Sequence, residues 1–191
     1  TEWTQFLDAD DILLTNKIQN QITRHPNADV ICGGAKHLSI NGVERIQFPN
    51  EDIALGLIEG KLGNTCSNLF KTSAVRNVKG WDETLGSSQE YDLMFRIWRQ
   101  GAYFAVDNEI RAIIRERESG QISQGNPVKK WNTFISIRMK MLEEIEGSDV
   151  EPSLLKKAMQ SIFDSIRILF MYDFESALSA FNQLQLKGFK P

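Results

Sequence analysis

The feature that most constrains this chain is the stretch 5–14, which sets an acidic cluster between two apolar segments. The apolar pair at 6–7 predicts a short buried strand that delivers Asp8 and Asp10 at its carboxyl end, where ligands bind in open α/β sheets. Residues two apart on an extended backbone point the same way, so Asp8 and Asp10 should share one side, opposite Ala9. Carboxylates this close repel one another unless a divalent cation or several donors lie between them. The stretch therefore predicts a metal and phosphate site at a strand end.

A purely structural alternative stays open, because Asp10, Asp11 and Thr15 are residue types that routinely build turns and cap helices. An EF-hand loop is excluded, since Leu13 and Gln19 stand where that loop requires glycine and glutamate. A phosphatase of the haloacid-dehalogenase type also begins with D-x-D after an apolar strand. The small residues that should follow are missing, so this hypothesis remains only as a competitor.

Composition narrows the class of protein. The 191 residues are 41% hydrophobic and 25% charged, which is ordinary for a globular α/β chain. A net charge of −3 gives no broad basic surface, so nucleic acid is not expected as a partner. Neither a long apolar run nor a signal-peptide pattern occurs. We therefore expect no transmembrane segment and a cytoplasmic location, including a peripheral one at the inner face of the membrane.

The few cysteines and histidines do not form a recognisable metal motif. Cys32 and Cys66 occur in apolar, strand-like contexts without a C-x-x-C pair, which predicts two buried thiols. His25 and His37 are isolated and are predicted to be surface or turn residues.

The remaining pattern up to residue 117 alternates between helices and strands. Hydrophobic periodicity predicts helices at 16–24, 52–60 and 88–101, with Thr15, Asp52 and Ser88 at their starts and Gly60 and Gly101 at the ends of the last two. Strands are predicted at 30–38, 43–48, 63–71, 103–106 and 109–115, with an Asn41-Gly42 hairpin turn between the first two.

From residue 128 onward the periodicity is helical throughout. Three helices are predicted; the apolar stripe of the first is interrupted by Arg138, the second opens at Pro152 and the third is capped by Asp173. We therefore predict an α/β portion at 1–118, a linker at 119–127 and an α-helical region at 128–191.

Three blocks in order give the chain a family resemblance. They are Phe6-Leu7-Asp8-Ala9-Asp10-Asp11 with Lys17 and Gln21, then Gly80-Trp81-Asp82-Glu83, then Gln89-Glu90-Tyr91-Asp92-Leu93-x-x-Arg96. Their order and spacing resemble the family 2 glycosyltransferases of GT-A fold over residues 1–117, and the segment 119–123 resembles the loop after that family's last core strand. The resemblance implies a partial GT-A fold, with a Rossmann-like mixed sheet and flanking helices, followed by a C-terminal helical hairpin or bundle.

The resemblance also implies a donor side of the site. Asp8 would lie near the nucleotide ribose, and Asp10 would ligate a Mn²⁺ or Mg²⁺ ion that bridges the donor diphosphate. The family often has a histidine near the end of its core, and here that position is Arg117. An arginine cannot ligate a cation but can bind the diphosphate with its planar fork.

On the acceptor side, Glu90 occupies the place of the family's catalytic aspartate and would act as the general base. Trp81 and Asp82 would line the acceptor pocket, the ring on an apolar sugar face and the carboxylate on hydroxyl groups. Asp92 and Arg96 are four apart on one helix and are predicted to form a structural ion pair.

The implied activity is inverting transfer of a sugar from a nucleotide-diphosphate donor to a saccharide or lipid-linked acceptor, as in cell-surface polysaccharide biosynthesis. The family's N-terminal half would precede Thr1, so we expect a segment of a longer protein that is inactive by itself. The C-terminal helices are a candidate homodimer surface. The alternatives are a non-catalytic GT-A-like scaffold and, less favoured, a D-x-D phosphatase-like hydrolase.

Overall fold

The computed structural model describes residues 1–116, 126–146 and 151–190, which form six strands and seven helices. The strands are β1 (Trp3–Thr4), β2 (Ile12–Leu13), β3 (Val30–Leu38), β4 (Glu44–Gln47), β5 (Leu69–Lys71) and β6 (Phe104–Arg115). The helices are α1 (Lys17–Arg24), α2 (Ile53–Glu59), α3 (Thr72–Asn77), α4 (Gln89–Arg99), α5 (Pro127–Glu146), α6 (Pro152–Phe170) and α7 (Phe174–Leu186).

Strand β3 is the centre of a mixed sheet with the order β1-β5-β3-β6-β2, and β4 also pairs with β3. Strands β3 and β6 run parallel, whereas the other pairs are antiparallel. The apolar start of β3 explains its central place, because Val30, Ile31 and Cys32 are all fully buried, as in strands covered on both faces. Near the carboxyl ends of the two parallel strands, His37 and Ile114 lie at one edge of the sheet, which carries the candidate site.

The strand predicted at residues 6–7 is wrong. Strand β1 ends at Thr4, and the side chain of Leu7 is 51% exposed. Phe6 leaves the sheet and packs edge-on against Trp81 and Phe70, with ring centroids 4.9 and 5.6 Å away. Aromatic packing to a neighbouring loop thus takes the place of strand pairing here.

Two further strand predictions differ from the structure. The segment predicted as a strand at 63–71 pairs only in β5, because the carboxamide of Asn64 closes a turn by accepting hydrogen bonds from the backbone N–H groups of Cys66 and Ser67. The strands predicted at 103–106 and 109–115 are one strand, β6, with a register irregularity opposite Gly33 and Gly34.

The helices lie where the periodicity predicts them, and the predicted Gly60 stop and Asp173 cap are confirmed. Asp52 caps α2 by accepting a hydrogen bond from Leu55 N at 2.9 Å, and Gly60 ends that helix with φ 71°. Asp173 caps α7 in the same way. The N-cap of α1 is Asn16 rather than Thr15, and its backbone is left-handed at φ 61° without a side-chain cap.

The helical region shares one hydrophobic core with the α/β portion. Met141 and Leu142 of α5 are fully buried in the same cluster as Leu57 of α2 and Met94 of α4. The predicted linker falls mostly outside the described residues, so the domain division at 118 stays a prediction. Within the described residues, no helix is both long and apolar enough to cross a membrane.

A buried polar network fixes the N-terminal stretch to this core. The Lys17 amine, on a residue only 2% exposed, donates to the side-chain oxygens of Gln5 and Gln21 and to the carbonyl of Asn68. Gln21 donates to Ser67 O at 3.1 Å. Because buried polar groups cost free energy unless they are paired, each of these partners depends on the others.

Gly33 makes room for the loop that follows α2. A Cβ atom at this position would lie 2.5 Å from Ser67 O and 2.8 Å from Gln21 Nε2. The backbone N–H of Gly33 donates to Asn68 Oδ1 at 3.1 Å. The loop therefore approaches β3 as closely as a glycine allows.

We expect Gly33→Ala to lower the free energy of unfolding by about 1–3 kcal/mol, because the added methyl group overpacks against backbone. Equilibrium urea unfolding measures this change. Gly86→Ala is the matched control, since a Cβ there would meet its nearest neighbour at an ordinary 3.8 Å. Equal stability of the two variants would contradict the close approach.

Burial also makes stability depend on the protonation of Lys17. Burial lowers the pKa of the Lys17 amine from 10.5 to about 7. Between these values the unfolded chain holds a proton that the folded chain has released, so stability should rise with pH, by up to about 1.4 kcal/mol per unit. We expect Lys17→Met to lose this rise in urea unfolding between about pH 7 and about pH 8.5.

The measurement stops at about pH 8.5 so that the thiols do not contribute to the slope. Burial raises the pKa of Cys32 and Cys66 to about 12, so these groups lower the stability of the fold at higher pH. Lys157→Met, at an exposed lysine of α6, should keep the wild-type slope. A variant at Lys17 with the wild-type slope would refute the assignment.

Candidate active site

One cleft, with a volume of about 870 Å³, brings three of the six predicted site residues together. Three loop segments, two strand ends, the end of α2, the first turn of α4 and one face of α5 line it. The lining includes Asp8, Asp11, His37, Glu59, Cys66, Trp81, Glu83, Ser88, Glu90, Ile114, Lys130, Phe134 and Arg138. Asp8, Trp81 and Glu90 are thus in the same cleft, whereas Asp10 and Asp82 are not among its lining residues.

The acidic stretch is a turn rather than an extended strand. The backbone N–H of Asp11 donates to Asp8 O at 3.1 Å, so the chain reverses over these four residues. This turn brings the side chain of Asp11, not that of Asp10, beside Asp8. The extended backbone predicted for Asp8 to Asp10 is therefore wrong, and the main-chain carbonyl of Asp10 accepts a hydrogen bond from Arg115 Nε.

Cys66 holds the two carboxylates in place. Its thiol donates to Asp11 Oδ2 at 3.1 Å, and the backbone N–H of Asp8 lies 3.4 Å from the sulfur. The other oxygen of Asp11 accepts from Arg115 N at 3.0 Å. Burial raises the pKa of Cys66 to about 12, which keeps the thiol protonated as the donor to Asp11.

The carboxylate pair fits a hard divalent cation. The ligand atoms of Asp8, Asp11 and Cys66 all lie within 4.8 Å of one another. The pKa of Asp8 is raised by burial and by the neighbouring charges of Asp11 and Asp10. A cation bound between the carboxylates would relieve this repulsion, and oxygen ligands of this kind suit Mg²⁺ or Mn²⁺.

Glu90 lies in the first turn of α4 and lines the same cleft as the acidic turn. Ser88, immediately before the helix, has a left-handed backbone at φ 59° and makes no side-chain cap hydrogen bond. A non-glycine residue in this conformation is uncommon and needs support from its surroundings. Tyr91 anchors the same turn, since its hydroxyl donates to Gly63 O at 3.0 Å.

The loop that carries Trp81 is fixed by the predicted ion pair, which is confirmed. Arg96 contacts Asp92 at 2.8 Å and also donates to the carbonyls of Val78 and Gly80. The half-buried ring of Trp81 therefore faces the cleft on a supported loop.

Asp82 has a local role in the same loop. Its carboxylate accepts from the backbone N–H and hydroxyl of Thr84, and these bonds lower its pKa. Its predicted contact with an acceptor remains a prediction. Arg117 and the loop at 119–123 lie outside the described residues, and their predicted roles also remain predictions.

Several cleft residues escaped sequence reasoning. Asp11 was predicted only as part of a turn or cap, and Cys66 only as a buried thiol, although D-x-D-D is itself a turn signal. His37 is a half-buried strand residue rather than a surface or turn residue. The contribution of α5 to the cleft had one signal in the sequence, which is the interruption of its apolar stripe by Arg138.

Comparison with known proteins agrees on the fold. No family model matches the sequence. An uncharacterized glycosyltransferase of Rickettsia bellii (strain RML369-C) is 28% identical in a 172-residue alignment, and the match covers 77% of this chain and 24% of that protein. The chain thus spans about a quarter of the length of this curated relative.

Two solved structures are similar. S. aureus TarS 1-349, in complex with UDP-GlcNAc, has a TM-score of 0.55 at 17% identity, over 90% of this chain and half of that one. The mannosyltransferase PcManGT from Pyrobaculum calidifontis, in complex with GDP-Man and Mn²⁺, has a TM-score of 0.45 at 11% identity, over 100% of this chain and 56% of that one. The predicted α/β fold, with a curled mixed sheet like that of GT-A glycosyltransferase structures, is confirmed.

Proposed function

We propose that this chain forms the metal and acceptor part of an inverting, metal-dependent glycosyltransferase of the family 2 type. The observation that carries the proposal is the single cleft lined by the Asp8–Asp11 pair, the Glu90 carboxylate and the Trp81 ring. The sequence similarity to a glycosyltransferase and the fold similarity to TarS support it. Both matched proteins are longer than this chain, so the activity, donor and acceptor of a whole protein are part of the proposal.

On the donor side, Asp8 and Asp11 would hold Mn²⁺ or Mg²⁺, with Asp11 taking the role that sequence reasoning gave to Asp10. When bound, such an ion neutralises the negative charge that grows on a leaving nucleoside diphosphate. Arg117 remains a candidate for a charged contact with the diphosphate. The Cys66 thiol keeps Asp11 oriented toward Asp8.

On the acceptor side, Glu90 acts as the general base. Its carboxylate takes the proton of the acceptor hydroxyl while the oxygen forms a bond to the anomeric carbon. The bond from that carbon to the diphosphate oxygen breaks, and the diphosphate leaves with the electron pair. A single displacement inverts the anomeric centre and needs one base. Trp81 offers an apolar surface to a sugar ring, which suits a saccharide or lipid-linked acceptor.

We expect Asp8→Asn and Asp11→Asn to weaken Mn²⁺ binding in the presence of UDP or GDP by at least about tenfold, or about 1.4 kcal/mol. Each change removes one charged oxygen ligand from the pair. Titration followed by the electron paramagnetic resonance of free Mn²⁺ measures the affinity. Asp10→Asn is the matched control and should change affinity less than about threefold. Loss of binding in the Asp10 variant alone would restore Asp10 as the ligand.

In the full-length protein, we expect Glu90→Gln to lower turnover by about 10²–10⁴ with donor affinity unchanged, because the amide cannot accept the proton. The measurement is release of nucleoside diphosphate from a panel of UDP- and GDP-sugars with Mn²⁺. Glu83→Gln, at an exposed carboxylate of the same cleft, is the control and should retain most activity.

The same assays separate the alternatives. If the full-length protein transfers sugar equally well in both the Asp11 and the Glu90 variants, the catalytic assignment of this chain fails. That result would favour a non-catalytic scaffold. Release of phosphate from an aryl phosphate in Mg²⁺, without use of any nucleotide sugar, would favour the phosphatase-like hydrolase. Pairing of two copies through the C-terminal helices stays a prediction, motivated by the exposed Phe170 and Met171 at the end of α6.

A further inference from the structure

Arg138 of α5 is the largest fully buried side chain among the described residues, at 1% exposure. Burial of a cation is costly unless several partners compensate it. A leucine or methionine would continue the apolar face of α5 without that cost. Packing alone therefore does not explain why an arginine stands at position 138.

The guanidinium group connects three helices. Its Nε donates to Ile58 O at 3.1 Å, at the carboxyl end of α2, where the helix dipole favours a positive charge. Its Nη1 lies 3.5 Å from Ser88 Oγ, at the amino end of α4. The group stacks 3.2 Å from the ring centroid of Phe134 and 5.2 Å from that of Tyr91. Gly60 leaves space for it, since a Cβ there would lie 3.2 Å from Nη2.

These contacts converge on the proposed base. Ser88 and Tyr91 flank Glu90 in the first turn of α4, and Ser88 holds the left-handed backbone that needs outside support. Burial lowers the pKa of the guanidinium to about 10, and the nearby Tyr91 and Glu90 partly offset this effect. Because the side chain is only 1% exposed, Arg138 is placed to act through its neighbours.

We propose that Arg138 is a positioning residue for Glu90: through Ser88 and Tyr91 it fixes the first turn of α4, and it places a positive charge at that turn. The inference rests on the proposed function, in which Glu90 is the base. It makes α5 a wall of the active site, although the family resemblance ends before that helix. The helical region then contributes to catalysis as well as to the core.

A double-mutant cycle in the full-length protein tests the proposal. It measures the rate of diphosphate release from UDP- and GDP-sugars with Mn²⁺, divided by the amount of folded protein. Arg138→Met should lower turnover about tenfold when Glu90 is present, with the donor KM within about twofold. In the Glu90→Gln background the same change should lower the residual rate less than about twofold, because the partner is already lost. Arg138→Lys keeps the charge without the fork and should recover part of the turnover. Arg167→Met, at a 71% exposed arginine of α6, is the matched control.

An equal fold-loss in both backgrounds, or no loss with Glu90 present, would overturn the proposal. Thermal unfolding of each variant establishes the folded fraction, so that a stability effect is not counted as lost turnover. If the residual rate of Glu90→Gln is below detection, the Met and Lys variants decide the question: equal turnover in the two would overturn the role of the charge. Full activity of Glu90→Gln alone would refute the proposed function instead, which keeps the two failures distinct.

Discussion

The architecture of the site depends on one buried amine. The side chain of Lys17 joins Gln5 before the acidic turn, Gln21 on its own helix and the main chain of Asn68 in the loop after α2. Asn68 is 51 residues from Lys17 along the chain, and Gln5 and Asn68 both lie outside the strands. Lys17 and Gln21 are buried and Gln5 is half-buried, so loss of the amine would leave buried polar groups with fewer partners. The network thereby fixes the acidic turn relative to the sheet.

The two chemical ends of the cleft are built by different means. At one end, a four-residue turn and the Cys66 thiol force Asp8 and Asp11 together despite their repulsion. At the other end, Glu90 lies in the first turn of α4, a helix with a buried apolar face. His37, near the end of β3, lines the same cleft, which has a volume of about 870 Å³.

Sequence reasoning succeeded where the signal was local. The helix at 53–59 was predictable because Asp52 is a strong start signal and Gly60 a strong stop signal. The Asp92–Arg96 pair was predictable because residues four apart on a helix are neighbours. It failed at the acidic stretch because an extended strand would pair Asp8 with Asp10, whereas the turn brings Asp11 beside Asp8. Only the hydrogen bond from Asp11 N to Asp8 O decides between the two backbones. Nothing in the local sequence ranks those two backbones.

The sequence by itself determined the mixed α/β class, the helical C-terminal region and the acidic and α4 blocks as the candidate chemistry, since periodicity and capping act over a few residues. Only the tertiary structure decided that Asp11 and Cys66 meet Asp8, and that α5 closes the cleft with Arg138. The physical reason is distance along the chain: Arg138 and Ile58 are separated by 80 residues, and their contact exists only after the core has packed.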